Sequence, residues 1–196
     1  MTNVSVVYFS GYGHTAKQAE AVFTGVTGVG GIAAHLIAID KEGNIRDDEW
    51  EVLAASDAVI FGSPTYLGGP AWQFKKFIDT TSSKLWAKRS WYDTLAGGFT
   101  NSASLNGDKN ITLQALLTFA LQHGMVWLGT GLLPANQKAS QRNDVNWLGG
   151  FSGALAQSPA DSSPEEGPFP GDLETARLYG QRIASFAQRL PSKTKQ

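Results

Sequence analysis

The chain has 196 residues, enough to bury a sizeable core and close to the length of one α/β domain, so a single domain over residues 1–196 is expected. Its 16 Lys plus Arg nearly balance 17 Asp plus Glu, which leaves no net field to draw the protein onto nucleic acid or an anionic membrane surface. With no cysteine there is no disulfide, no thiolate metal site and no cysteine nucleophile, and the three histidines are too scattered to point to a metal.

Val4–Phe9 (VSVVYF) is apolar at nearly every position, the pattern of a central parallel strand covered on both faces. No basic stretch or small-residue cleavage site precedes it, so a cytoplasmic protein is expected. No apolar run approaches the roughly 20 residues needed to span a bilayer. Ala16–Val26 then carries Ala19, Val22, Phe23 and Val26 at helical spacing; Ala34–Ile39 reads as a second strand, Asp47–Ala55 as a short helix and Asp57–Gly62 as a third strand. Gly69-Pro70 is expected to open a helix, because proline at the first helical position gives up only an amide without a partner, and Phe74, Phe77 and Ile78 supply its buried stripe. Leu95–Thr100 is a strand thinned by Gly97 and Gly98, Ile111–Gln122 a helix closed by Gly124 in a left-handed conformation, and Met125–Leu128 a fifth strand. From Gly129 to Gly171 the chain is rich in Gly, Pro, Ser, Asn and Asp and lacks periodicity, the signature of a long functional loop or interface arm. The last helix places Leu173, Ala176, Tyr179, Ile183, Phe186 and Leu190 on one face, with Asp172 as its cap and Pro191 as its stop. Strands and helices in alternation, five of each, predict a three-layer α/β fold of flavodoxin type, a parallel sheet in the order 2-1-3-4-5 with helices on both faces.

An open sheet of this kind forms its crevice at the carboxyl ends of the strands, and three loops fall there. The first, Ser10-Gly11-Tyr12-Gly13-His14-Thr15, passes from strand one into helix one, where free amides and the helix dipole favour a phosphate and where Ser10 and Thr15 offer hydroxyls. The second is Ser63-Pro64-Thr65-Tyr66-Leu67-Gly68-Gly69, and the third runs Thr100-Asn101-Ser102-Ala103-Ser104-Leu105-Asn106-Gly107. Both combine amides, hydroxyls and an aromatic or aliphatic side chain, as a flat ring with a polar edge requires. A rival owner exists for the first loop: Gly11 to Ala16 also satisfies the dinucleotide pattern G-x-G-x-x-G/A, with Asp40 placed at the end of strand two for a ribose hydroxyl. That reading wants about six strands and leaves the second loop unexplained.

Several stretches resemble the WrbA-type NAD(P)H:quinone oxidoreductases: YFSGYGHTAKQAEAV (Tyr8–Val22), FGSPTYLGGPAWQFKKFID (Phe61–Asp79), LWAKRSWYDTLAGGFTNSAS (Leu85–Ser104), LQHGMVWLG (Leu121–Gly129) and DLETARLYGQRIASF in the last helix. The resemblance implies FMN as cofactor, with Ser10–Thr15 on its phosphate, Pro64, Thr65, Tyr66, Leu67 and Gly68 along the isoalloxazine, and Thr100, Asn101, Ser102, Ser104, Leu105 and Asn106 completing the ribityl and ring contacts. It further implies NADH or NADPH as donor, a small quinone as acceptor, and a homotetramer or dimer. Tyr12 would lie beside the nicotinamide, Trp86 would sandwich substrate over the flavin, and His123 would reach the flavin from a neighbouring subunit. On the residues alone, Trp86 beside Leu85, Trp91 and Tyr92 reads first as packing, and His123 as a residue favoured at a helix end. The chain departs from the family in Asn136–Gly171, which carries Trp147, Phe151 and SPADSSPEEGPFPGD, and in a third loop with Asn, Ala and Leu in place of glycine and threonine.

These expectations describe an FMN-dependent reductase in which the flavin carries the redox chemistry and no side-chain acid or base is required. A one-electron flavodoxin shuttle would use the same fold, although such carriers usually show a strongly acidic docking face. An FMN-binding regulatory protein without turnover is the third class. Neither a basic stripe nor a recognition helix supports nucleic-acid binding.

Overall fold

A computed structural model describes residues 1–190, so the expected stop at Pro191 lies outside the described residues. In chain order the elements are β1 (Thr2–Tyr8), α1 (His14–Thr27), β2 (Ile32–Ala38), α2 (Glu49–Ala54), β3 (Ala58–Tyr66), β4 (Gly69–Pro70), α3 (Trp72–Thr81) continued by a π-helical turn (Ser82–Trp86), β5 (Leu95–Ser102), α4 (Lys109–Gln122), β6 (Val126–Trp127), β7 (Ala154–Gln157) and α5 (Pro170–Ala187). The sheet runs β2-β1-β3-β5-β6, the expected order, with β4 as a short antiparallel partner of β3 and β7 as a parallel partner of β5.

The period-two alternation of the strands divides the core between the two faces of the sheet. Val4 and Val6 of β1 join Ala58 and Ile60 of β3 against Ala19, Val22 and Val26 of α1 and Ala176, Tyr179 and Ile183 of α5. Val7 and Phe9, with Val59 and Phe61, face Leu53 of α2, Phe74 and Phe77 of α3, and Leu113, Leu116 and Phe119 of α4. On the α1–α5 side the helices cross at glycines: a Cβ on Gly25 would lie 1.9 Å from the Arg177 carbonyl oxygen, and one on Gly180 would lie 2.1 Å from that of Val22.

Three local expectations are corrected. Gly69-Pro70 does not open a helix; Leu67 and Gly68 both take positive φ (46° and 80°), the signature of a type I′ hairpin turn, and fold Gly69 and Pro70 back onto Tyr66 and Thr65. Asp172 is not the cap of α5, which starts two residues earlier at Pro170; its buried carboxylate takes a bidentate pair of hydrogen bonds from Arg142 (2.9 and 2.7 Å) and another from the Gln157 amide (2.9 Å). The edge strand is broken: β6 pairs with Leu95 and Ala96, the chain leaves the sheet, and it returns as β7 beside Phe99–Ser102. In the gap between them the Tyr179 phenol accepts a hydrogen bond from the Gly98 amide (3.2 Å) and donates one to the Leu128 carbonyl (2.5 Å). Gly97 leaves room for that phenol, since a Cβ there would sit 2.4 Å from its oxygen. Gly97 therefore fits a side chain that stands in for missing strand, while Gly98 makes room for Trp127 and Leu116.

Candidate functional site

The three loops meet at the carboxyl edge of the sheet. In the first, Gly13 adopts φ 92° immediately before α1, and the Ser10 hydroxyl accepts hydrogen bonds from the amides of Gly13 and Ala16 (3.1 Å each). Ser10 thus shapes the loop from within, a duty beyond the expected donation to a ligand, and its hydroxyl proton stays available. Among the described residues the amides of Tyr12, His14 and Thr15 have no acceptor, as at any helix start, and the buried Thr15 hydroxyl has no partner. Three unpaired amides, a hydroxyl and the positive end of a 14-residue helix lie within four residues of one another, which fits a phosphate.

The second loop lies against the first. A Cβ on Gly11 would be 2.6 Å from the Tyr66 hydroxyl, and the Tyr12 and Tyr66 rings meet edge to face at 6.1 Å. Burial and the Tyr12 phenol push the Tyr66 hydroxyl pKa up, with the Gly11 amide opposing them. Thr65 and Thr100, expected to present side chains to a ligand, turn inward instead: the Thr65 hydroxyl bonds those of Thr100 and Thr112 (2.8 Å each), fastening β3, β5 and α4 together beneath the site. Pro64 pairs with Asn101 across β3 and β5, and the Asn101 side-chain oxygen accepts from the Ser158 hydroxyl (3.0 Å). The segment Thr100–Ser102 belongs to β5 itself, so the third loop begins at Ala103.

Around these loops the large apolar side chains of Tyr12, Leu67 and Leu105 stand exposed and Tyr66 partly so, with Leu67 in a backbone region that a branched residue rarely adopts. Exposed rings and aliphatic chains beside unpaired amides suit a flat heteroaromatic ligand with a polar edge. The dinucleotide alternative loses its ribose partner here. Asp40 accepts from the amides of Asn44 (2.7 Å) and Glu42 (3.0 Å), the first of which chiefly holds its carboxyl below the ordinary range, so the residue caps its own turn.

Comparison with known proteins agrees with this geometry. Residues 48–140 match the family described as NADPH-dependent FMN reductase. The chain is 50% identical to a protein named flavodoxin FldP from Pseudomonas aeruginosa, over 97% of this chain and 99% of that one. It is 35% identical to an NAD(P)H dehydrogenase (quinone) from Chromohalobacter salexigens over 97% and 99% of the two chains. Among solved structures, a flavodoxin, WrbA-like protein from Agrobacterium tumefaciens superposes with a TM-score of 0.77 at 47% identity, covering 96% and 99%. The chain belongs to the WrbA-type NAD(P)H:quinone oxidoreductase family. A flavodoxin from the domain Archaea, 16% identical with a TM-score of 0.61, shares the fold.

In this WrbA-type chain Trp86 and His123 lie far from the three loops. α4 starts at the third loop and runs back along the sheet for about 20 Å, at 1.5 Å per residue, so that His123 sits beside the amino end of β5. The two residues do come together: the Trp86 indole donates to the Gln122 carbonyl (2.8 Å), and both line a groove of about 1140 Å³ between α3 and α4 with Ile78, Ile111 and Phe119. His123 packs between the Trp91 and Phe119 rings, its Nε2 2.9 Å from the Thr81 hydroxyl, and its burial pulls the imidazole pKa down to about 4. The ring is neutral near pH 7, so the favourable charge–dipole interaction anticipated at this helix end is absent.

Other site residues escaped the sequence. Pro164 packs against Gly13, where an added Cβ would meet it at 2.6 Å, and the Gly167 carbonyl lies 2.9 Å from His14 Nδ1, so the acidic Pro-rich segment borders the phosphate loop. Lys109, Gln157 and Ser158 hold the third loop from beneath. No helix among the described residues is long and apolar enough to cross a membrane.

Proposed function

We propose that this chain is an FMN-dependent oxidoreductase in which a hydride equivalent from NADH or NADPH would pass to bound FMN and the two electrons would then pass, with protons, to a small quinone. The observation that carries the reading is the convergence of unpaired amides at Tyr12, His14 and Thr15 with exposed rings at Tyr12 and Tyr66, beside a third loop that offers further amides. Ser10 to Thr15 would hold the phosphate, Pro64 to Gly68 the ring, and Asn101 to Asn106 its polar edge and the ribityl chain. Bound there, FMN would supply the electron-accepting ring. The protein supplies position, donors and shelter from water. Exposed Tyr12 would offer an aromatic surface on which donor and acceptor sit in turn, so the kinetics should be ping-pong, and intersecting lines would count against a shared pocket.

Trp86 and His123 enter this reading through a second copy. The α3–α4 groove that holds them is apolar and half-open, and a homodimer or homotetramer that brings one copy's groove toward another's loops would supply both residues to the substrate side. The names of the quinone dehydrogenase relatives support the reductase. A one-electron carrier is favoured by one observation, the flavodoxin name of the 50%-identical relative.

The test is to load the purified apoprotein with FMN and add NADH or NADPH without oxygen. The flavin colour should bleach with at least one nucleotide and return with a benzoquinone. Bleaching by neither, together with a stable one-electron-reduced form in potentiometry, would overturn the reductase in favour of the carrier. Light scattering of the loaded protein should give a dimer or tetramer.

A further inference from the structure

Lys109 opens α4 and is 1% exposed, an environment that an ammonium group occupies only when its protons are matched to acceptors. Its Nζ donates to three successive carbonyls, those of Ser104 (2.6 Å), Leu105 (2.9 Å) and Asn106 (3.3 Å). The preceding carbonyl, Ala103, accepts from the Gln157 side-chain amide (3.1 Å), and the Ser104 carbonyl also takes the Ser102 hydroxyl (3.2 Å). Four consecutive carbonyls of the third loop are thereby engaged from within. Among the described residues the amides of Ser104, Leu105 and Asn106 have no acceptor. A run of four residues whose carbonyls are engaged, three of them with free amides, favours negative charge, and here a buried cation lies directly behind it.

Given the FMN reading above, on which this inference rests, we propose that Lys109 is a positioning residue that sets the electron-accepting strength of the bound ring. By collecting the loop carbonyls it leaves only donors for the ring's acceptor edge, and its charge favours the extra negative charge that reduction places there. The hydrogen-bond geometry carries the assignment. Burial also pulls the ammonium down to about 8, with the Asp172 carboxylate opposing that fall and the Arg142 guanidinium adding to it.

The experiment compares wild type, Lys109→Met and Lys109→Gln, each loaded with FMN, by flavin fluorescence for affinity and by the two-electron midpoint potential. Lys109→Met should weaken oxidised FMN binding about tenfold. It should weaken the reduced form at least tenfold more, a shift of about 30 mV to lower potential. Lys109→Gln keeps two donors and loses the charge, so it should recover most of the affinity yet retain the lower potential. A lysine that served the fold alone would change affinity or melting temperature while the bound flavin kept its wild-type potential, and that result overturns the proposal. Should neither variant fold, the wild-type apoprotein decides. Its FMN dissociation constant should rise several-fold from pH 7 to pH 9 as the ammonium loses its proton, and a flat profile overturns the proposal. Asp172 and Arg142, the charged groups facing Lys109, belong to classes that ordinarily titrate outside that interval. Failure of the wild-type chain to bind FMN at all would overturn the function proposed above and this inference with it, whereas FMN binding with unchanged variant potentials overturns this inference alone.

Discussion

The loop after β1 and the loop after β5 meet at one edge of the sheet but are held in different ways. Ser10 reaches amides three and six residues ahead, and Gly13 turns the chain into α1, so the first loop is organised largely by its own residues. The third loop is organised from outside, by Lys109 on the following helix and by Gln157 and Ser158 on the far side of a long excursion. A locally built loop can be recognised from a short motif. A loop built by remote partners cannot, and its properties change when those partners change.

Substitutions can break or sharpen that contrast. The largest effect is expected for Gly13→Val, which places a branched residue at φ 92° and a Cβ 2.6 Å from Pro164; strain and overlap together amount to about 3 kcal/mol, roughly a hundredfold loss of FMN affinity. An affinity within threefold of wild type in a fluorescence titration would show that the loop does not depend on this turn. Ser10→Ala removes the acceptor for two amides as well as a phosphate donor and should cost about 2 kcal/mol, or roughly thirtyfold. Thr15→Val leaves the loop's internal bonds intact and should cost about 1.5 kcal/mol, near tenfold, measured the same way. If Thr15→Val proved the more damaging of the two, the scaffold role given to Ser10 would be wrong. The smallest effect is expected for Gln157→Leu, which frees one carbonyl of the third loop; about 1 kcal/mol, roughly fivefold in affinity, is expected. No change there would show that Gln157 does not help to organise that loop.

The same contrast explains what was legible in the sequence. Period and composition gave every major strand and helix to within a few residues, because the apolar stripe of α1 or α5 and the continuous apolar run of β1 need no distant information. The turn from β1 into α1 was legible for the same reason. The inward turn of the Thr65 and Thr100 hydroxyls was not legible, because hydroxyls that meet across three elements look, one strand at a time, like hydroxyls aimed at a crevice. Gly69-Pro70 was misread because positive φ at Leu67, which makes the hairpin, is not something an aliphatic residue announces. Lys109 carried no signal at all: a lysine in a first helical turn ordinarily extends into water, and only the fold of the preceding loop brings carbonyls to its nitrogen.

Tyr179 gives the broken edge strand a practical meaning. A phenol from α5 bridges the break, and the same helix holds the middle of the excursion between β6 and β7 through the Arg142–Asp172 pair and the Asn146–Thr175 hydrogen bond. The register at Leu95–Ala96 and at Phe99–Ser102 is kept by separate pairings, so the exposed residues of the excursion are the ones open to exchange. Tyr179, Arg142, Asn146 and Asp172 are the residues to leave untouched.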